Sequence, residues 1–223
     1  PDRVIYGNGE FVQVPPFARP REIRLPEPYG TTVQYIIPHA ETKTLAKALA
    51  HKGIKLIEVR GTWPKKNMQL VRALYEWGFL RNEKINVKGV EVGILDCISE
   101  YLFNSKEGTE TELYGYSLHV EVVGMKDGKR MCHTLYHTHP ASDGSVEGWE
   151  KLRAYTRNVG IPMAIATEML AKGMVKATGV ITPEEAGDPA AIFKELEKRQ
   201  IFVHEEITEI GAETQAIVES MSR

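Results

Sequence analysis

The sequence has little sulfur, almost no net charge and no long apolar run. Its two cysteines, Cys97 and Cys132, stand far apart in 223 residues and form no CxxC pair. That excludes a disulfide framework. It predicts two buried thiols in a reducing compartment. Lys and Arg total 28 and Asp and Glu total 30, a net charge of −2; a dedicated nucleic-acid binder is strongly basic instead. No apolar run reaches the ~18 residues that span a bilayer. The amino terminus lacks the basic-then-apolar pattern of a secretory leader. The expectation is a cytoplasmic protein with neither nucleic acid nor membrane as a partner. The chain starts with Pro1 rather than Met, as a processed product or a fragment would.

A phosphate cradle is missing as well. Gly7-Asn8-Gly9 lacks the third glycine of a dinucleotide fingerprint, and Gly124 to Lys129 lacks P-loop spacing. Without a strand–GxGxxG–helix unit, the chain alone is not expected to hold a nucleotide pyrophosphate.

What is present suffices for a core, since 42% of residues are hydrophobic. The first thirty residues are broken by Pro15, Pro16, Pro20, Pro26 and Pro28. They read as connecting structure with short extended pieces at Phe11–Val14 and Glu22–Leu25. From Thr31 the pattern turns regular. Thr31–Ile37 and Ile54–Arg60 read as strands, with a helix between them from about Glu41 to Ala50. Pro64 opens a second helix that places Leu70, Val71, Leu74 and Trp77 on one face and ends at Gly78. Val90–Phe103 reads as a third helix. Leu113–Met125 alternates as a strand, with Tyr114, Tyr116, Leu118, Val120 and Val122 on one side. Asp127-Gly128 turns it into a returning strand, Arg130–Tyr136. Trp149–Tyr155 and Ile161–Lys172 read as helices. Thr182 to Glu185 forms a capping box, and Asp188-Pro189 opens a helix carrying Ile192, Phe193 and Leu196. Ile201–Glu205 reads as a last strand. The fold class expected is α/β of the α+β type, a mixed twisted sheet covered by helices.

Several groups carry candidate chemistry. Arg60 ends a strand, where α/β sheets bind ligands. It either clamps a substrate carboxylate or pairs with Glu58. His39 and Glu41 follow another strand. Either Glu41 recognises an amine and His39 moves a proton, or Glu41 and Thr42 cap the next helix. Thr156-Arg157-Asn158 precedes a helix expected to begin near Ile161, which makes either an anion pocket or an ordinary cap. His133, His137 and His139, with Asp143, are either metal ligands or hydrogen-bonded strand-end histidines.

Four ordered segments carry a family resemblance. The first is Val12-Gln13-Val14-Pro15 with the later Pro26-Glu27-Pro28. The second is Ile36-Ile37-Pro38-His39-Ala40-Glu41-Thr42-Lys43-Thr44-Leu45. The third is Val59-Arg60-Gly61 with Glu76-Trp77-Gly78-Phe79-Leu80. The fourth joins Tyr155-Thr156-Arg157-Asn158-Val159-Gly160, Ile165-Ala166-Thr167-Glu168-Met169-Leu170 and Lys176 to Glu184. Together they resemble the carboxyl-terminal part of the saccharopine dehydrogenase / lysine 6-dehydrogenase family.

The resemblance implies the substrate and dimerisation domain of an NAD- or NADP-dependent oxidoreductase whose Rossmann domain is absent here. Such enzymes oxidise an amine-bearing carbon of an amino acid such as lysine, saccharopine or carboxynorspermidine, and a homodimer is implied. Residues 1–30 would connect to the nucleotide domain, 31–145 would form the substrate and dimerisation domain, and 146–223 would return toward the nucleotide domain. His39 and Glu41 would face the amine as catalytic groups. Arg60, Thr62, Thr156, Arg157 and Asn158 would bind substrate, and Thr156 and Gly160 would border the cofactor. A non-catalytic amino-acid-binding or assembly domain of the same fold, and a metal-dependent enzyme built on the histidines, are the alternatives.

Overall fold

The computed structural model describes residues 3–105, 115–140, 144–147 and 154–210. Eleven strands and six α-helices are distributed over several small antiparallel sheets among these residues. This is the α+β class expected.

The prolines of the first thirty residues break the chain into short strands, as their missing N–H groups require. β1 (Val4–Gly7) and β2 (Glu10–Gln13) form a hairpin. Asn8 and Gly9 both have positive φ there, so the glycine pair that resembles half a nucleotide motif is a turn. β3 (Arg21–Arg24) pairs with β4 (Thr31–Ile36). Helix α1 (Glu41–Leu49) follows.

The single strand expected over Ile54–Arg60 is two. β5 (Leu56–Ile57) pairs with β1, whereas β6 (Arg60–Gly61) pairs with β4. The chain changes sheets at Glu58 and Val59. Inside the angle of the two sheets Ile5, Val14 and Ile36 form a small core, with Ala18 and Leu56 against it.

Helix α2 (Lys65–Glu76) begins after Pro64 and ends at Gly78, whose positive φ lets Phe79 N–H reach back to Leu74. Its apolar face is only partly covered: Val71 and Leu74 are half-buried, whereas Leu70 is exposed and Trp77 just beyond the helix is 80% exposed. The helix expected over Val90–Phe103 is shorter. β7 (Lys84–Val87) and β8 (Val90–Gly93) form a hairpin about Lys88-Gly89, both at positive φ. Only then does α3 (Ile94–Asn104) begin. No α3 residue is buried, and Phe103 is 88% exposed. Cys97 lies exposed on this helix and Cys132 is half-buried, so neither thiol is buried as expected; both are free.

The longest ribbon is β9 (Tyr116–Lys126) with β10 (Lys129–His139). Asp127 and Gly128, both at positive φ, make the expected tight turn. Residues 106–114, and with them Leu113 and Tyr114, lie outside the described residues. β11 (His204–Glu209) pairs on the far side of β10, so among the described residues β9 is an edge strand. The last strand thus begins at His204 rather than Ile201, because Ile201 is taken into a helical core.

That core lies between α4 (Ala154–Ala171) and α6 (Pro189–Glu197). Ile165, Met169, Leu196 and Ile201 are buried in it. Arg199 straps the two helices together through Glu168 (2.8 Å) and Glu195 (2.8 Å). Short α5 (Pro183–Ala186) carries the capping box, with the Glu185 carboxylate accepting from the Thr182 N–H and hydroxyl, both at 3.2 Å. Asp188 caps α6 by accepting from Ala190 N–H. Among the described residues no helix is long and apolar enough to cross a membrane.

Candidate functional site

Arg60 sits where the chain crosses between sheets. Its Nε and Nη2 donate to the two carboxylate oxygens of Glu58 at 2.6 and 3.1 Å. Its Nη1 donates to the Arg19 carbonyl at 2.6 Å and, more weakly, to the Gln34 carbonyl at 3.4 Å. The two charged side chains are only 9% and 14% exposed. The ion pair with Glu58, one of the two readings of Arg60, is present. Four of the five Arg60 N–H donors are directed at Glu58 and two carbonyls, one of them weakly at 3.4 Å. Thr62, two residues on, donates to the Trp63 carbonyl at 3.3 Å.

His39 and Glu41 are joined to one another, Nδ1 to carboxylate, and both side chains are about half exposed. Neither caps α1, which has no side-chain cap bond. Thr42 behind them is fully buried, and its hydroxyl has no hydrogen-bond partner among the described residues. Thr44 on the same helix donates to Glu184 at 2.7 Å. Burial pushes the Glu184 carboxyl up, but hydrogen bonds from Thr44, its own backbone N–H and Thr182 outweigh it and hold it low.

The stretch before Ile161 is already helical from Ala154, the first described residue there. Thr156, Arg157, Asn158 and Gly160 therefore all lie within the helix. A helix-terminal pocket in front of Ile161 is not formed. Pro162 stands inside α4 and lacks the N–H that would reach the Asn158 carbonyl. The Asn158 side-chain nitrogen is buried with no hydrogen-bond partner among the described residues.

Arg157 comes close enough to His139 for its charge to act there. Burial first, then the charges of His137 and Arg157, hold the His139 imidazole below its ordinary pKa against a bond to the Pro140 carbonyl. Burial and His204 do the same to His137, against its bond to the Phe202 carbonyl. Each ring meets a backbone carbonyl through Nδ1, at 2.9 Å for His137 and 2.7 Å for His139. His133 points to Glu205 instead, at 3.2 Å. Asp143 lies outside the described residues, and among those described no three metal-ligating side chains come together.

On the other face of the ribbon, sequence reasoning missed a polar group. His119 Nε2 lies 3.2 Å from Glu121, whose other oxygen accepts from Arg21 at 2.7 Å. The His119 hydrogen bond, with the bond and charge of Arg21, outweighs burial and lowers the Glu121 carboxyl to about 2. The sequence signal was the alternation Ser117, His119, Glu121 opposite the expected apolar face.

These groups set an acid limit on stability. Glu121 binds fewer protons folded than unfolded, so its contribution is complete above its ordinary 4.5 and is lost as pH falls toward about 2. His137 and His139 act in the same direction from their ordinary 6.5 downward. Urea midpoints should fall as pH drops from 7 to 3, and Glu121→Gln should flatten the part below pH 5. An unchanged slope in that variant would remove Glu121 from the account.

Comparison with known proteins decides the family. A model described as the saccharopine dehydrogenase C-terminal domain matches residues 3–201. The chain belongs to that family. It matches no curated protein. The segments that carry the resemblance also touch one another in this saccharopine dehydrogenase-type domain. Val14 and Ile36 share a core, and Thr44 bonds Glu184. Ile165 and Met169 build the helical core, with Glu168 tied to Arg199. Much of the family pattern is therefore a folding pattern. Among the described residues no glycine-rich turn opens a helix to cradle a pyrophosphate.

Proposed function

We propose that the chain is the substrate-binding and dimerisation domain of a cytoplasmic, NAD- or NADP-dependent dehydrogenase of the saccharopine/lysine type. The family match over residues 3–201 carries this reading. The uncovered apolar surface supports it, because Trp77, Phe103, Val120 and Val122 call for a partner domain or second copy to cover them. A nucleotide domain elsewhere in the enzyme would bind the dinucleotide, which accepts the hydride. This chain's task is to hold the amino acid and handle its proton.

His39 and Glu41, joined and open to solvent, are our candidates for handling the amine proton. Thr156, Arg157 and Asn158 on α4 are candidates for substrate contact, and Thr156 and Gly160 for the cofactor border. Thr62 is the candidate on the β6 side. Residues 31–145 would form the substrate and dimerisation part, with 146–223 returning toward the nucleotide domain and 1–30 connecting to it.

Gly160 offers a separable test. A Cβ added there meets nothing within 4 Å. Gly160→Ala should therefore raise stability by about 0.5–1 kcal/mol through helix propensity. If a nicotinamide borders that position, the same variant loses turnover. Stability and turnover rising together would take Gly160 off the cofactor border.

The deciding experiment follows NAD(P)H absorbance in the enzyme extended to its native start, with lysine, saccharopine and carboxynorspermidine in turn. Turnover with one of them is expected. Silence with all three, in folded protein that binds nucleotide, would overturn the reading as stated.

A further inference from the structure

The β7–β8 hairpin has sorted faces. Cross-strand partners share a side. Ile85 with Val92 and Val87 with Val90 therefore make one apolar face, and Lys84, Asn86 and Glu91 make a polar one. Ile85, Val87 and Val90 are 48%, 45% and 62% exposed. Two strands alone are marginal in water without a further apolar layer. Within one copy the hairpin packs on α3, which leaves those three side chains open.

The ribbon offers the counterpart. Leu118, Val120 and Val122 stand out from one face of β9, with Leu135 beside them on β10 and exposed Ile207 on β11. Gly124 leaves a notch in the same face, because a Cβ there would meet nothing within 4 Å. Leu118 to Val122 spans ~13 Å and a hairpin strand ~10 Å. One face therefore fits the other as stacked sheets do.

Charge selects the occupant. β11 borders the ribbon's face with Glu205 and Glu209 on either side of Ile207, adds Glu206 on the other face, and has no lysine or arginine. The hairpin brings Lys84 in its first strand and Lys88 at its tip. Among the described residues neither lysine pairs with a carboxylate. A single chain thus carries both halves of an apolar contact, with opposite charges at their edges, and both halves stay open in one copy.

We propose that two copies exchange hairpins. The apolar face of β7–β8 in each copy packs on the β9–β10–β11 face of the other, with Lys84 and Lys88 toward the β11 carboxylates. This deepens the homodimer of the proposed function and rests on it. Under two-fold symmetry the contact occurs twice, and hairpin and ribbon are two separate surfaces of one interface.

The test uses the enzyme extended to its native start, with mass read by light scattering over a dilution series. Val87→Lys puts an unpaired ammonium into each of the two contacts. It should raise the dissociation constant ~100-fold, ~10-fold for each contact. Far-UV circular dichroism should stay unchanged, because Val87 is exposed in the single copy. Val90→Lys, on the other strand of the same face, should act alike and guards against a hairpin spoiled by one substitution. Val87→Lys protein keeps a sound ribbon, and protein with Val120→Lys and Val122→Lys keeps a sound hairpin. Mixed, the two should form a heterodimer through one intact contact, tighter than either variant forms with itself. Wild-type affinity in both hairpin variants would overturn the exchange and leave the homodimer standing. A mixture no tighter than its components would overturn the exchange as well. Monomeric wild type would overturn the exchange and the homodimer together. Turnover of an amino acid bears on the dehydrogenase reading alone.

Discussion

Arg60→Ala is expected to destabilise the domain by about 3–5 kcal/mol, the usual loss when one partner of a buried pair is removed. For a chain of this size that is roughly a 10 °C drop in thermal midpoint. The reason is local. Glu58 would keep its charge in a site where both side chains are largely hidden. The Arg19 and Gln34 carbonyls would lose their donor at the point where the strand leaves one sheet for the other. Adding Glu58→Gln to the variant should recover part of the loss, since it removes the stranded charge. A variant that keeps its melting midpoint but shows a raised apparent KM would place Arg60 at the substrate.

A lysine on the open edge of the ribbon should have the second large effect. Leu118, Val120 and Val122 stand exposed on one face of β9, and no strand pairs with its outer edge among the described residues. Such an edge invites pairing with another copy, and an outward charge blocks it. If two copies join there, Val120→Lys with Val122→Lys should weaken the dimer by a factor on the order of 100 or more, because two ammonium groups would be buried without partners. Light scattering reads the result directly. Wild-type protein already at 25.1 kDa would remove the dimer. A dimer that survives both lysines would place its interface elsewhere.

Legibility in the sequence followed the range of the interactions. Hairpins closed by Asp127-Gly128 and helices opened by Pro64, Thr182 and Asp188 were readable because the signal is local. The β7–β8 hairpin was missed because Val90 to Gly93 also fits the apolar spacing of the helix that follows. Its marker was Lys88-Gly89 between β-branched pairs. The division of Ile54–Arg60 between two sheets has no local marker, because it depends on Arg60 reaching Arg19 and Gln34. Gly160 and Pro162 look like a boundary in the sequence, but packing of Ile165 and Met169 against α6 carries α4 through them. The polar face at His119 was visible only as the less apolar half of an alternating strand. Its meaning came from cross-strand register.

Exposed Cys97 on α3 and half-covered Cys132, whose sulfur lies 3.7 Å from the Thr134 hydroxyl, make the two thiols unequal in accessibility. A maleimide dye should therefore react first at Cys97. The native protein thus carries its own gauge of what settles on the helix: labelling slows when α3 is covered and stays fast when it is not. Comparing the rate in the isolated chain with that in the complete enzyme would show, without any substitution, whether assembly shelters this helix.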